Sequence, residues 1–328
     1  MRVLITGGAG FIGGHIAEKL ARDGHNITVI DNFVSYYDLG IKRHNVETAR
    51  NAASAAGGSY ELVNASVTDE ETVNKLVANA DVVYHQAAQA GVRKSIEQPT
   101  KVNEFNIDGT ITVLEAARNH DIERVVVASS SSVYGKPEYL PYDENHPTTP
   151  VSPYGVSKLA TEQYARVYYE VYGLPTVSLR YFTVYGPRMR PNMAMTNFVS
   201  RCLHDEPPVI YGTGEQTRDF TYIEDIRRIN EQLLTDNSAD GEICNIGSTD
   251  NIDIQTLAEI IRDEINPSLD IIYNDARTGD AKHTHADVSK ASDLLGYKPT
   301  VDIRDGTQKF ISWYRDNEAW YDPLVRES

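Results

Sequence analysis

Val3-Leu4-Ile5-Thr6-Gly7-Gly8-Ala9-Gly10-Phe11-Ile12-Gly13, followed at Ile27-Thr28-Val29-Ile30 by a second apolar run that ends in Asp31, decides the fold of this chain. The order is strand, glycine turn, helix through 15–23, strand, acidic residue. Gly7 permits a tight turn. Gly10 lets backbone amides approach a pyrophosphate at the helix amino terminus, and Gly13 lets the helix lie close on the sheet. A carboxylate at Asp31 accepts hydrogen bonds from the adenosine ribose and repels a 2′-phosphate, which predicts NAD rather than NADP.

Outward from this unit, strands and helices alternate. Residues 32–58 form a long polar insert, expected as a short helix with a mobile tip. Strands are predicted at 61–63 and 81–85, and helices at 72–78 and 103–119. The small residues after Gln86, namely Ala87 and Ala88, suit a loop lying against a cofactor or a plain strand-to-helix turn. The alternation predicts an α/β fold built on a doubly wound parallel Rossmann sheet.

Chemistry concentrates in residues 129–158. The apolar run 124–128 reads as a buried strand, ending in Ser129, Ser130, Ser131 and Ser132. A helix follows over 154–172, with Ser152 as its N-cap and Pro153 at its first position. Tyr154 and Lys158 share one face of that helix, one turn apart. A nearby ammonium favours the phenolate, and a phenolate can serve as a general base. Tyr-x-x-x-Lys alone is a common spacing. The serine run and the glycine turn are what give it meaning.

After a strand at 175–180 the pattern changes. Prolines at 187, 191, 207 and 208 separate short elements at 209–211, 220–222, 244–246 and 271–273. These read as a smaller α/β lobe interleaved with the last strands of the sheet. The expected division is residues 1–180 for NAD and residues 181–328 mainly for the second ligand, with parts of the later chain returning to the sheet.

The net charge of −16 argues against nucleic acid or an anionic membrane as partners. Two cysteines, Cys202 and Cys244, show no metal-ligand spacing, and no apolar run has the length of a membrane span. The amino terminus enters a strand directly, so no signal peptide and a cytoplasmic location are expected.

Gly7-x-x-Gly10-x-x-Gly13, Asp31, Asn106-x-x-Gly109-Thr110, Ser129-Ser130-x-x-Val133-Tyr134-Gly135, Tyr154-x-x-x-Lys158, Arg180-Tyr181-Phe182 and Arg218-Asp219-Phe220-x-Tyr222 together resemble the extended short-chain dehydrogenase/reductases. Within them the chain resembles the nucleotide-sugar 4-epimerases. The resemblance implies that Tyr154 takes a proton from the sugar 4-hydroxyl while C4 gives hydride to NAD, and that a 4-keto sugar then turns over in the site. It implies that Lys158 holds the nicotinamide ribose and lowers the tyrosine pKa, and that Ser130 bonds the reacting oxygen. NAD would lie against Gly7, Gly10, Phe11, Ile12, Gly13, Asp31, Asn32, Ser66, Val67, Gln86, Ala87, Ala88, Asn106, Ser129, Tyr154, Lys158 and Tyr181. A UDP-sugar would meet Arg93, Ser130, Ser132, Thr183, Arg190, Asn197, Tyr211, Arg218, Arg277, Asp280 and Thr284. Arg218, Arg277 and Asn197 would grip the diphosphate, and Asp280 the uridine ribose. A homodimer through a four-helix interface, made by 103–119 and 154–172 of each copy, is also implied.

Single positions separate sister activities. Related dehydratases carry an Asp-Glu pair where this chain has Ser131-Ser132, and related decarboxylases a glutamate at Ser132. Thr183 stands where galactose-type epimerases have asparagine, and Ser66 where the family often has aspartate. The stretch 185–194, with 33–43 and 87–93, is similar to UDP-glucuronate 4-epimerases. A uronate carboxylate on Arg190 is therefore the favoured expectation. UDP-glucose and the N-acetyl sugars are the alternatives, the latter admitted by a small residue at Thr284. A non-catalytic NAD-binding regulator is the rival class, but such proteins typically lose the tyrosine or lysine kept here.

Overall fold

The structure, a computed structural model, describes residues 1–275 and 282–327. The first half of the chain runs β1 (Arg2–Thr6), α1 (Phe11–Arg22), β2 (Asn26–Ile30), α2 (Leu39–Ala56), β3 (Tyr60–Val63), α3 (Glu70–Val77), β4 (Val82–His85), α4 (Val92–Glu97), α5 (Pro99–Asn103), α6 (Gly109–Asn119) and β5 (Arg124–Ser130). Next come α7 (Pro153–Tyr172), β6 (Thr176–Tyr181), β7 (Thr183–Tyr185), α8 (Ala194–Leu203), β8 (Val209–Tyr211), β9 (Thr217–Tyr222) and α9 (Ile223–Gln232). The chain closes with β10 (Ile243–Ile246), β11 (Asn251–Asp253), α10 (Ile254–Ile265), β12 (Ile272–Asn274), α11 (Ser289–Leu295) and α12 (Ile303–Arg326).

Seven strands form one parallel sheet in the order β10-β6-β5-β4-β1-β2-β3. Sequence order reverses between β1 and β4, so their carboxyl ends open the crevice in which such sheets bind ligands. Val125, Val126 and Val127 are all buried, because helices cover both faces of the sheet. Val73, Val113, Leu114 and Ala165 pack on one face, and Ile16, Leu20, Ile41 and Ala49 on the other. After Tyr181 the chain leaves the sheet and returns to it as β10. β7 pairs with β9, and β9 with β11, in a separate three-stranded sheet, while β8 pairs with β12. Among the described residues no helix is long and apolar enough to cross a membrane.

Two segments differ from expectation. The insert at 32–58 is largely one helix, α2, of 18 residues, capped by Asp38 and closed by Gly57 in the left-handed conformation. Its buried face is Ile41, Lys42, Asn45, Val46, Ala49 and Ala53. Two polar residues in that face hide its amphipathic period. The helix expected over 103–119 is interrupted by a π-helical turn, Glu104–Asp108, before α6. One inserted residue there re-aims Asn106 into the site, a common role for such turns.

Two buried histidines make stability depend on pH. His85 lies between Thr6 Oγ1 (2.8 Å) and Thr110 Oγ1 (2.9 Å), and burial with the Lys158 charge pushes it from 6.5 down to about 3. Burial and the Arg188 charge lower His15 as well. The unfolded chain takes up these protons near pH 6.5 and the folded chain does not. The contribution is therefore complete above that pH and is lost as pH falls. Burial raises Asp219 and Glu144, which acts in the opposite direction, starting from the lower carboxylate range. Urea unfolding stepped from about pH 7.5 to about pH 5 should give a falling stability; a flat or rising profile would contradict the neutral histidines.

Candidate active site

The glycine turn is fixed by contact distances. Gly7 has φ +67°, and a Cβ there would lie 2.7 Å from Ala87 Cα. A Cβ on Gly13 would lie 2.5 Å from Gly7 O. Asn45 of α2, which sequence reasoning missed, donates from Nδ2 to Ala9 O (2.9 Å) and Gly10 O (3.1 Å) and pins the turn. Phe11 and Ile12 open α1 beside it. This glycine-only cradle at a helix amino terminus fits a dinucleotide pyrophosphate.

Asp31 is buried and accepts from Ala9 N (3.3 Å) and Phe33 N (2.9 Å). It also pairs with the buried ammonium of Lys42 at 3.0 Å. Lys42 was likewise missed, since nothing in its own segment announces a partner eleven residues back. Asn32 turns inward to accept from Val34 N, and Ser66 bonds Thr68 Oγ1 at 2.8 Å. Val67 packs on Gly109. Gln86, Ala87 and Ala88 follow β4, and Ala87 N donates to Thr6 Oγ1 at 3.2 Å. Asn106 joins this loop to α7: Gln89 N donates to its Oδ1 (2.7 Å), and its Nδ2 donates to Ser157 Oγ (2.9 Å). Ser157 Oγ donates to Tyr154 O at 2.8 Å. Tyr181 OH meets Asn230 Nδ2 at 2.9 Å.

At the reacting end, Ser152 Oγ accepts from Gly155 N (3.1 Å) and starts α7, which points Tyr154 back at β5. Ser130 Oγ lies 3.1 Å from Ser132 Oγ and hydrogen-bonds the Tyr154 phenol. Burial raises that phenol above 10. The Arg190 charge and the Ser130 hydrogen bond oppose the rise, and Tyr36 adds to it. The largest opposing influence on the phenol is the Arg190 charge. Lys158 Nζ instead donates to Ala128 O at 2.6 Å, and burial lowers it to about 8 against the Glu162 charge. Ser129 turns away and donates to Glu162, which forms a buried ion pair with Arg180 at 2.8 Å.

Arg190 and Tyr36 define the far wall. The guanidinium lies 5.6 Å from the Tyr36 ring centre, and its Nη2 lies 3.6 Å from Met193 Sδ. Its Nη1 is buried without a hydrogen-bond partner. Tyr36 closes on Gly91, where a Cβ would lie 2.1 Å from the phenol oxygen. Two segments noted only as sequence stretches, 33–43 and 87–93, therefore meet over Tyr154. Thr183 is half-buried at the start of β7, and Arg93 is exposed on α4.

The remaining residues lie along the smaller lobe. Asn197 Nδ2 donates to Pro191 O and Met193 O, so it braces the Arg190 loop. Arg218 Nη1 donates to Thr217 O at 2.8 Å. Tyr211 lines a surface cavity with Tyr273, Asn274 and Asp275. Thr284 is buried, and its Oγ1 accepts from Asp219 N at 3.3 Å. Arg277 and Asp280 lie outside the described residues.

The Asp31–Lys42 pair generates a prediction. If Asp31 accepts the ribose hydroxyls, Asp31→Ala removes that acceptor and leaves the Lys42 ammonium, now unpaired, to attract a 2′-phosphate. In a cofactor titration the preference for NAD over NADP should fall by about tenfold or more. An unchanged ratio would remove Asp31 from the ribose site.

Comparison with known proteins agrees with this geometry. The family model described as GDP-mannose 4,6 dehydratase matches residues 4–310. A putative UDP-glucose 4-epimerase of Methanocaldococcus jannaschii is 37% identical over 320 residues, covering 96% of this chain and 99% of that protein. The crystal structure of a UDP-glucuronic acid 4-epimerase from Bacillus cereus, in complex with UDP-glucuronic acid and NAD, superposes with a TM-score of 0.88 at 35% identity, covering 96% of this chain and 99% of that one. A UDP-N-acetylglucosamine 4-epimerase from Methanobrevibacter ruminantium, in complex with UDP-N-acetylmuramic acid, gives 0.86 at 34% identity, covering 96% and 98%. From the glycine cradle to the serine at the end of β5 and the tyrosine and lysine of α7, and across almost its whole length, the chain belongs to the GDP-mannose 4,6-dehydratase family of extended short-chain dehydrogenases/reductases.

Proposed function

We propose that this enzyme, an NAD-dependent nucleotide-sugar 4-epimerase, inverts C4 of UDP-glucuronate. The observation that carries the uronate is Arg190 Nη1, buried and unpartnered, on a side chain whose charge acts on Tyr154. A buried donor without an acceptor is costly, and a guanidinium fork matches a carboxylate. Thr183 completes that end of the pocket.

NAD supplies the hydride acceptor that takes hydrogen from C4 and returns it to the opposite face. The chain's own groups manage the proton and the charge. Tyr154, as the phenolate, receives the proton of the 4-hydroxyl and as the phenol gives it back, while Ser130 Oγ bonds the same oxygen. Burial raises the phenol, and the Arg190 charge offsets only part of that rise. Lys158, anchored on Ala128 O, holds the nicotinamide ribose. Ser131 and Ser132 offer no acid to expel a hydroxyl, which suits epimerisation rather than dehydration. Arg218, Arg277 and Asn197 are assigned to the diphosphate, Asp280 to the uridine ribose, and Tyr211 and Arg93 to the mouth of the site. Thr284, small and turned onto Asp219 N, favours an N-acetyl sugar as the second reading.

The active unit is a homodimer. Val156, Tyr164, Val167, Val171 and Tyr172 leave a broad apolar face of α7 exposed, the kind of surface a second copy covers. Sedimentation at micromolar concentration should give twice the 36.6 kDa chain mass; a single chain mass would remove the four-helix interface.

Kinetics of two variants on two sugars test the reaction. Tyr154→Phe should retain nucleotide binding and lose about 10²–10⁴-fold in rate. Arg190→Ala should cost about 2–5 kcal/mol with UDP-glucuronate, roughly one and a half to three and a half orders of magnitude in kcat/KM, and much less with UDP-glucose. Equal losses on both sugars, or faster turnover of UDP-glucose by the wild type, would exclude the uronate.

A further inference from the structure

The segment carrying Arg190 is tied to α1, the helix that begins the cofactor cradle, by a cluster none of the chemistry above uses. Arg188 is buried and holds a left-handed φ of +62°. Such a backbone is strained for a non-glycine residue and persists only where its surroundings impose it. Here the imposing groups are on α1. Arg188 Nη2 donates to the Glu18 carboxylate and to His15 Nδ1 at 2.8 Å. His15 Nε2 lies 2.8 Å from Pro187 O. A neutral imidazole that donates from Nε2 and accepts at Nδ1 satisfies both bonds at once. Among the described residues Arg188 Nη1 has no hydrogen-bond partner, and Glu18 is the only carboxylate paired with this guanidinium. Two residues on, Arg190 O accepts from Thr196 Oγ1 (3.2 Å) and Met193 N (3.3 Å). Between them, Met189 O accepts from Tyr321 OH.

We propose that Arg188, gripped by Glu18 and His15, is a positioning residue that fixes where the Arg190 guanidinium stands over Tyr154. It touches neither sugar nor cofactor and acts through the backbone of residues 188–190. The inference rests on Arg190 being a substrate contact, as read above. It adds that the setting of this contact comes from the cofactor helix. A group that binds ground state and transition state alike shows itself in KM, so misplacing Arg190 should raise KM more than it lowers kcat.

The test is a double-mutant cycle with Arg188→Asn, Arg190→Ala and the pair, on UDP-glucuronate and UDP-glucose, with bound NAD measured in each protein. Asparagine tolerates the left-handed backbone, so the variant removes the guanidinium without adding strain. Arg188→Asn should lower kcat/KM for UDP-glucuronate about tenfold, mostly through KM, with full NAD content. In the Arg190→Ala background the same change should matter less than about twofold, because the residue it positions is gone. Glu18→Gln, which keeps an acceptor for Arg188, should lose less than Arg188→Asn. If Arg188→Asn does not fold, His15→Leu enters the cycle at the other end of the same cluster. Effects that multiply independently, or a variant that loses NAD instead of sugar affinity, would overturn the positioning role. Failure of the uronate reading appears elsewhere, as an Arg190→Ala loss equal on both sugars. The cycle then still decides the role of Arg188 on whichever sugar is turned over.

Discussion

Glu162 and Arg180 meet between α7 and β6 with both carboxylate oxygens engaged at 2.8 Å and almost no exposure. Taking two charges out of water costs several kcal/mol per ion, and only good geometry with further hydrogen bonds offsets it. Those bonds are present. Ser129 donates to Glu162 from the end of β5, and Arg180 Nη1 donates to Tyr134 OH at 2.8 Å. Tyr134 OH donates in turn to Asn245 Oδ1 in β10 at 2.6 Å. One ion pair thus fixes the register of α7 against three adjacent strands. Glu162 lies one turn beyond Lys158 and two beyond Tyr154, so that register also sets the distance from Ser130 to the phenol. Losing one partner of such a pair typically costs about 3–5 kcal/mol, because the other charge stays buried.

The same segment sets opposing influences on the Tyr154 phenol. Burial alone would hold the phenol neutral, and it is Arg190 and Ser130 that oppose it. Arg190 therefore combines two features in one position: a buried donor, Nη1, without a hydrogen-bond partner, and a charge that opposes the rise of the Tyr154 phenol. Lys158 is held on a strand carbonyl, that of Ala128.

The parts of this architecture that were legible in the sequence are those whose cause is local. Gly7, Gly10 and Gly13 are dictated by close approach within one turn. Ser152 and Pro153 start α7, and Tyr154 and Lys158 follow from helical spacing. What escaped detection is set by partners far along the chain. Lys42 and Asn45 look like surface residues of a polar insert, yet they are buried because Asp31 and the carbonyls of Ala9 and Gly10 receive them. The π turn at Asn106 is a shift of one residue that no periodicity announces. Arg188 and His15 are 173 positions apart, and Tyr36 and Arg190 come together from opposite halves of the chain.

The position of α12 bears on how the protein is made. Tyr321 holds Met189 O, Trp320 stacks on His44 at 3.8 Å, and Asp322 accepts from Ser200 and Tyr314. The glycine turn, Asp31, Tyr154 and Lys158 all leave the ribosome well before these residues. A nascent chain thus carries these groups while the loop bearing Arg190 still lacks its support from Tyr321, which lies 132 positions beyond the Met189 carbonyl it holds. The setting of that loop therefore comes after the glycine turn and the amino end of α7 have been made.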